Sequence, residues 1–414
     1  MHCLWITLAD PEPATNGQLI YSEGLIRAMR SAGVSLCVIG LSRTEKPTVP
    51  DDEHDLTWRL VTEKRLPRWR RLLHPMPEVA LRGVSRPMAQ MLDATLQARA
   101  WDAIFFDSIC AGWALDAVRH HCARAARPPK VVYLAHNHEV TAARRIADES
   151  RGVRRVLKEF DFIKVRKLER SLIAVSDLVT SNTPDDSRRF VADAGGKPVA
   201  FLPPGYGGHR VVSRIIDGNV PRRAVVVGSF NWPPKRIALE RFLATAASTL
   251  AAAEVDLQFV GEIDPDYLAD LRGRYPSVTF VGRVDDVLPY MAAARLALVI
   301  DLLGGFKLKG LDYVFNRIPI LAMRVALPGM PLKHGHSIEL FDSHEDLASA
   351  IVRLIDDFET LNRRQIAAIE ACSVRFDWDR IGQHLLGHVG RVRVRRKQSA
   401  PAATLTNAVE AAAD

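Results

Sequence analysis

Short apolar runs of strand length alternate with longer helical patterns along this 414-residue chain, and the alternation occurs twice. His2–Leu8 precedes a loop with Asn16-Gly17 and then QLIYSEGLIRAMRSAG. In that segment Leu19, Ile20, Leu25, Ile26 and Met29 recur near helical spacing, and Gly33 sits where a helix would stop. Val34–Leu41, Ala103–Phe106, Lys130–Ala135, Leu178–Ser181 and Val199–Leu202 are further candidate strands. Residues 203–221, PPGYGGHRVVSRIIDGNVP, hold no period and read as a linker. The alternation then resumes, with strands at Arg223–Val227, Val255–Val260, Ser277–Val281, Leu296–Ile300 and Pro319–Met323. Helices are expected at Ile237–Ala253, Pro265–Arg274 and Val287–Ala294. Strands separated by helices need crossover connections and a parallel sheet. The expected class is α/β: two Rossmann-like domains, 1–205 and 219–375, facing across a cleft. Ligands of such sheets bind at the carboxyl ends of the strands.

The net charge of +8 and pI of about 9.3 favour anionic partners without choosing among them. Much of the excess lies between Trp58 and Arg86 and in VGRVRVRRKQ at 389–398. The stretch WRLVTEKRLPRWRRLLHP interleaves Trp, Leu and Arg. It suits either an anionic membrane surface or a solvated basic face. No zinc-finger, RNA-binding or helix-turn-helix signature accompanies the charge, so a nucleic-acid partner is not expected. Five scattered cysteines imply neither a disulfide framework nor a metal site, and point to a reduced, cytoplasmic setting. The opening MHCLWITLADPEP reads as a first strand, and no run approaches the roughly 20 apolar residues that span a bilayer. Residues 391–414 read as a basic and then disordered tail.

The chemistry concentrates in LLGGFKLKGLDYVFNRIPIL, residues 302–321. Gly304 and Gly305 permit a tight turn after a strand, and Lys307 and Lys309 follow where a helix begins. Cations at a helix N-terminus are unfavourable unless an anion joins them, and a diphosphate would do so. Asp312, one turn on, suits ribose hydroxyls. Solvated lysines and an ordinary acidic first turn remain the plainer reading.

This pattern resembles the donor loop of GT-B glycosyltransferases, above all the retaining family 4 type (glycosyl transferases group 1). Gly304 stands where many relatives have the first Glu of a Glu-x7-Glu motif, and Asp312 stands at the second. The resemblance implies that Gly305, Lys307 and Lys309 meet a diphosphate and that Asp312 holds the ribose. AVVVGSFNWPPKRIALERFL (224–243) is similar to the opening of the family's nucleotide domain, which puts Gly228 and Ser229 at the phosphates. FVGRVDDVLPYMAAARLALVI (280–300) is similar to its base-binding segment, with Arg283 and Val284 nearest the base. In the first half, LADPEPATNGQ (8–18) matches the family's glycine loop and implies Gly17 at the donor. YLAHNHEV (133–140) implies His136 at the donor sugar or leaving phosphate, with Asp107 and Glu139 as further catalytic candidates. RFDWDRIGQHLL (375–386) resembles the closing helix, so 376–390 is expected to cross back to the first domain with Trp378 as packing.

The implied activity moves a sugar from a nucleotide-diphosphate sugar to a glycan or lipid-linked acceptor, in bacterial surface polysaccharide or glycolipid synthesis. Lysines and backbone dipoles stabilise a leaving diphosphate electrostatically, so no metal or other cofactor is expected. Retention needs no dedicated nucleophile. Inversion, as in GumK-like enzymes, would need Asp107 or Glu139 as general base. A sugar-nucleotide epimerase of this fold and a non-catalytic nucleotide-sugar-binding protein are the other readings. A cytoplasmic protein, peripheral on the inner face of the plasma membrane through residues 58–86, is the expected localisation.

Overall fold

A computed structural model describes residues 1–10, 14, 16–43, 55–62, 74–302 and 305–392. Gly304, residues 63–73 of the basic stretch, part of the glycine loop and the tail from residue 393 lie outside the described residues.

The first half builds one parallel sheet from β1 (His2–Ala9), β2 (Ser35–Ser42), β3 (Leu56–Thr62), β4 (Ala103–Asp107), β5 (Lys130–Leu134), β6 (Leu178–Ser181) and β7 (Val199–Phe201). Their order is β3-β2-β1-β4-β5-β6-β7. Three of the strand cores, in β1, β4 and β5, are continuously apolar because helices cover both faces. The flanking helices include α1 (Gly17–Ser31), α2 (Glu78–Leu81), α3 (Arg86–Ala98), α4 (Leu115–Arg124), α5 (Glu139–Glu149), α6 (Gly152–Val175) and α7 (Pro184–Asp193). Asn16 caps α1 through its side chain, which accepts from the Leu19 amide at 3.1 Å.

The second half repeats the plan with β8 (Arg223–Val227), β9 (Asp256–Val260), β10 (Val278–Gly282), β11 (Leu296–Val299), β12 (Ile320–Met323) and β13 (Glu339–Phe341). Their order is β10-β9-β8-β11-β12-β13, all parallel. Its helices are α8 (Pro233–Ala252), α9 (Pro265–Arg274), α10 (Leu288–Ala292), α11 (Leu308–Phe315), α12 (His344–Leu354) and α13 (Phe358–Cys372). In each sheet the chain reverses its direction of winding beside the first strand, between β1 and β4 and between β8 and β11. Ligand crevices open at such switch points.

Between β7 and β8 the chain has no regular element, and it is pinned to the second domain through backbone bonds from Tyr206 to Phe376 and from Val211 to Phe315. The last helix, α14 (Trp378–Arg391), lies against α1 of the first domain. Close approach there depends on glycine. A Cβ on Gly24 or Gly205 would fall within 2.4 Å of the Trp378 indole. Lys130 Nζ closes the other end of α14 by donating to the carbonyls of Val389 (2.6 Å) and Gly390 (3.1 Å).

Two strands were not legible. β3 falls within the stretch read as basic surface, and Trp58 is buried in the sheet's core rather than presented to a membrane. An edge strand needs only one apolar face, so Arg59 points outward and masks the pattern. β13 has three residues, too few for a period.

Candidate active site

A cavity of about 380 Å³ lies between the two switch points. The first domain contributes the start of α1 (Gly17, Gln18, Tyr21), the turn after β4 (Ser108, Cys110) and the loop after β5 (His136, Asn137, Glu139). Opposite stand Gly228 after β8, Lys235 in the first turn of α8, and Phe306, Lys307, Leu308 and Lys309 at the start of α11. A narrower recess continues from it past Ser229 to Asp301.

Asp301 is the hub of the second-domain wall. It is 7% exposed and accepts from Lys309 Nζ at 2.6 Å. Burial opposes its charge, yet Lys309 and Lys307 hold its carboxyl below the ordinary range. Lys235 also faces this group, and burial followed by repulsion from Lys309 lowers its ammonium. Burial brings Lys307 down to about 8, against the pull of Asp301. Three lysines around one carboxylate leave an excess of two positive charges. The N-termini of α8 and α11 add partial positive charge at the same place. A nucleoside diphosphate supplies the compensating charge.

Backbone geometry allows close approach. Gly305 has φ +93°, and a Cβ there would stand 3.4 Å from Asn137 Oδ1 across the cleft. Gly228 packs so tightly on the end of β9 that a Cβ on Gly261 would lie 1.9 Å from the Gly228 carbonyl oxygen.

On the first-domain wall, His136 Nε2 is 2.7 Å from Asp107 Oδ1. Asp107 is fully buried and also accepts from Trp5 Nε1 at 3.0 Å. Burial raises its pKa, but the hydrogen bonds from His136, Ser22 and Trp5 outweigh that and hold the carboxyl ionised. An ionised partner fixes the proton on Nε2 and leaves Nδ1 as the ring nitrogen available to a ligand. Asp107 therefore does not reach the cavity as a general base. It orients His136, which corrects the first reading of its role.

Glu139 lines the cavity, and burial raises its pKa even though Asn137 Nδ2 donates to it at 3.2 Å. His138 faces away, capping α5 and meeting Asp193 at 3.0 Å. Among the described residues no group of three His, Cys, Asp or Glu side chains is placed to hold a metal.

Three expected donor residues do not line the cavity or its recess. Asp312 is on α11 but outside both cavities; it is half-buried beside Tyr206, and burial raises its carboxyl. Arg283, exposed, and Val284, packed against the second core, line neither cavity.

Several cavity groups were missed. Lys235 stood in the quoted segment NWPPKR, where Pro-Pro marks a helix start and hence a lysine in its first turn. Asp301 lies two residues beyond the carboxyl end of β11, a position that suits a ligand-facing acid. Ser108 carried no signal. It adopts φ +65°, unusual for a non-glycine residue, and its Oγ accepts from the Cys110 amide at 3.2 Å. Glu169 on α6 was also silent. Its carboxylate accepts from the Glu139 and Val140 amides at 2.9 Å each, which anchors the loop carrying His136 and Asn137. Burial pushes Glu169 up to about 8 against those two bonds.

Residues 221–357 match the family model described as Glycosyl transferases group 1. Sucrose-phosphate synthase from Thermosynechococcus elongatus has a similar structure, with TM-score 0.67 and 18% identity over 94% of this chain and 98% of that one. HepE from Anabaena, solved with UDP and glucose, gives TM-score 0.64 and 15% identity over 94% and 99% of the two chains. The trehalose-6-phosphate synthase OtsA gives 0.65 and 12% over 95% and 100%. No curated protein sequence matches the chain. The chain has the GT-B fold, and its second domain matches group 1 glycosyl transferases. Its group 1 match covers the domain that carries Gly228, Lys235, Asp301, Lys307 and Lys309. The expectation of two parallel-sheet domains holds, and the family resemblance holds over the second of them.

Proposed function

We propose that the enzyme transfers a hexosyl group from a nucleoside diphosphate sugar to a hydroxyl of a glycan or lipid-linked acceptor, with retention, in bacterial surface polysaccharide or glycolipid synthesis. The observation that carries the donor half is the Lys235–Lys307–Lys309 cluster around Asp301, in the cavity wall opposite His136. As the glycosidic bond breaks, negative charge grows on the leaving diphosphate. Ammonium groups and helix N-termini already fixed at that position stabilise it without reorganising. This chemistry calls for no metal or other cofactor. The departing phosphate then guides the acceptor hydroxyl to the same face of the sugar. Glu139, with its pKa raised by burial on the cavity wall, supports inversion as the second reading, with this carboxylate as general base.

Calorimetry with UDP-, GDP-, ADP- and dTDP-sugars tests the donor site. One donor binds, and Lys309→Ala lowers its affinity about ten-fold or more, because a charge-assisted contact contributes roughly 1.5–3 kcal/mol. A folded protein that binds none of the four sinks the donor reading.

Lys307 predicts a pH dependence. Its lowered pKa, about 8, makes the free protein lose the binding charge as pH rises through that value. Donor affinity is therefore level below pH 7 and declines above 8. A bound diphosphate restores the charge, so up to one proton is taken up per donor near pH 8. Heats measured in two buffers of different ionisation enthalpy count that proton, and Lys307→Met abolishes the uptake. Equal heats with the wild-type protein would separate Lys307 from the phosphates.

A further inference from the structure

The second half of α6 packs on the first domain through Val165, Leu168, Leu172 and Ile173. Its first three turns carry a second apolar stripe. Val153, Val156, Leu157, Phe160 and Ile163 are 79%, 54%, 43%, 61% and 51% exposed. Spacings of three and four residues place all five on one arc of about 120°. A contiguous exposed stripe of this kind marks a contact surface rather than scattered surface apolar residues.

The charge around the stripe identifies the partner. Residues 151–170 hold eight basic and three acidic side chains. Of the acids, Glu169 is buried, Glu159 is held by Arg144, and Asp161 accepts the Glu78 amide at 3.0 Å. Arg151, Arg154, Arg155 and Lys167 are exposed. We infer that this face of α6 docks on an anionic lipid bilayer, with the apolar stripe at the headgroup–acyl boundary and the basic residues on lipid phosphates. No helix among the described residues is long and apolar enough to cross a membrane, so the contact is interfacial. A second copy of the chain fits less well, because a two-fold contact through the stripe would set the same basic rims against each other.

The placement connects the surface to the cavity. α5 starts at Glu139 in the cavity wall and runs 11 residues, roughly 16 Å, before α6 turns back. The stripe lies at the far end of this hairpin, and Glu169 anchors the near end. The inference rests on surface chemistry alone and does not depend on the sugar transfer.

Co-sedimentation of the full chain with vesicles reads it without turnover. The wild-type protein pellets with phosphatidylcholine vesicles containing phosphatidylglycerol and stays in solution with phosphatidylcholine alone. Phe160→Asp weakens vesicle binding about ten-fold or more by placing a charge in the stripe. Arg151→Gln with Arg154→Gln weakens it about thirty-fold, at about 1 kcal/mol per cation near the surface. Both variants change exposed residues, and an unchanged melting temperature confirms their folding. Absence of binding to the anionic vesicles overturns the proposal, as does equal binding to both vesicle types. Binding that neither variant weakens assigns the lipid contact elsewhere and likewise overturns it. So does a concentration-dependent dimer, seen by sedimentation velocity, that Phe160→Asp dissociates.

Discussion

Replacing His136 by Ala lowers kcat about a hundred-fold while the donor still binds. The ring lies in the cavity wall across from the lysines, and its Nε2 is tied to Asp107 at 2.7 Å. Nδ1 can then accept a hydroxyl proton or, when the ring is charged, donate to the leaving group. Positioned groups of this kind contribute about 10²–10⁴ to rate. Asp107→Asn gives a second, sharper test. Its amide can donate to Nε2 and so move the ring proton to Nδ1, which reverses the polarity presented to the substrate. Asp107→Asn should therefore lose activity nearly as severely as His136→Ala, with little change in donor affinity. Initial transfer rates and calorimetry on the same preparations separate the two effects. Full activity in Asp107→Asn would reduce the pair to a structural contact.

The second large effect concerns Asp301. Removing one member of a buried ion pair leaves an uncompensated charge, which costs about 3 kcal/mol. Asp301→Asn leaves three lysines converging with no carboxylate between them. The variant should unfold at markedly lower denaturant concentration than the wild-type protein. Inorganic pyrophosphate should then stabilise the variant more than it does the wild type, since an anion bound only by the folded state shifts the equilibrium by mass action. Denaturation curves with and without pyrophosphate measure both. Wild-type stability in the variant, with no added gain from pyrophosphate, would mean that the lysines do not form an anion site.

Much of this chain's architecture was legible in its sequence, and for local reasons. Strand–helix alternation follows from hydrophobic period, which is why β8 and α9 appear with the expected bounds. The Pro- and Gly-rich break at 203–221 separates two cores because no period there can support an element. Lys307 and Lys309 were readable from their place after Gly304-Gly305 and before a helix. Tertiary structure decided what depends on distant partners. The burial of Asp107 turned a candidate base into the group that orients His136, because β1 brings Trp5 and α1 brings Ser22 against it. Asp301 gained its role from three lysines on two different helices. Trp58 became core because β3 pairs with β2, a contact no local pattern encodes. The second stripe on α6 has the same origin. A heptad-like pattern specifies that a face is apolar, and only the packed fold shows that no described residue of the first domain covers it.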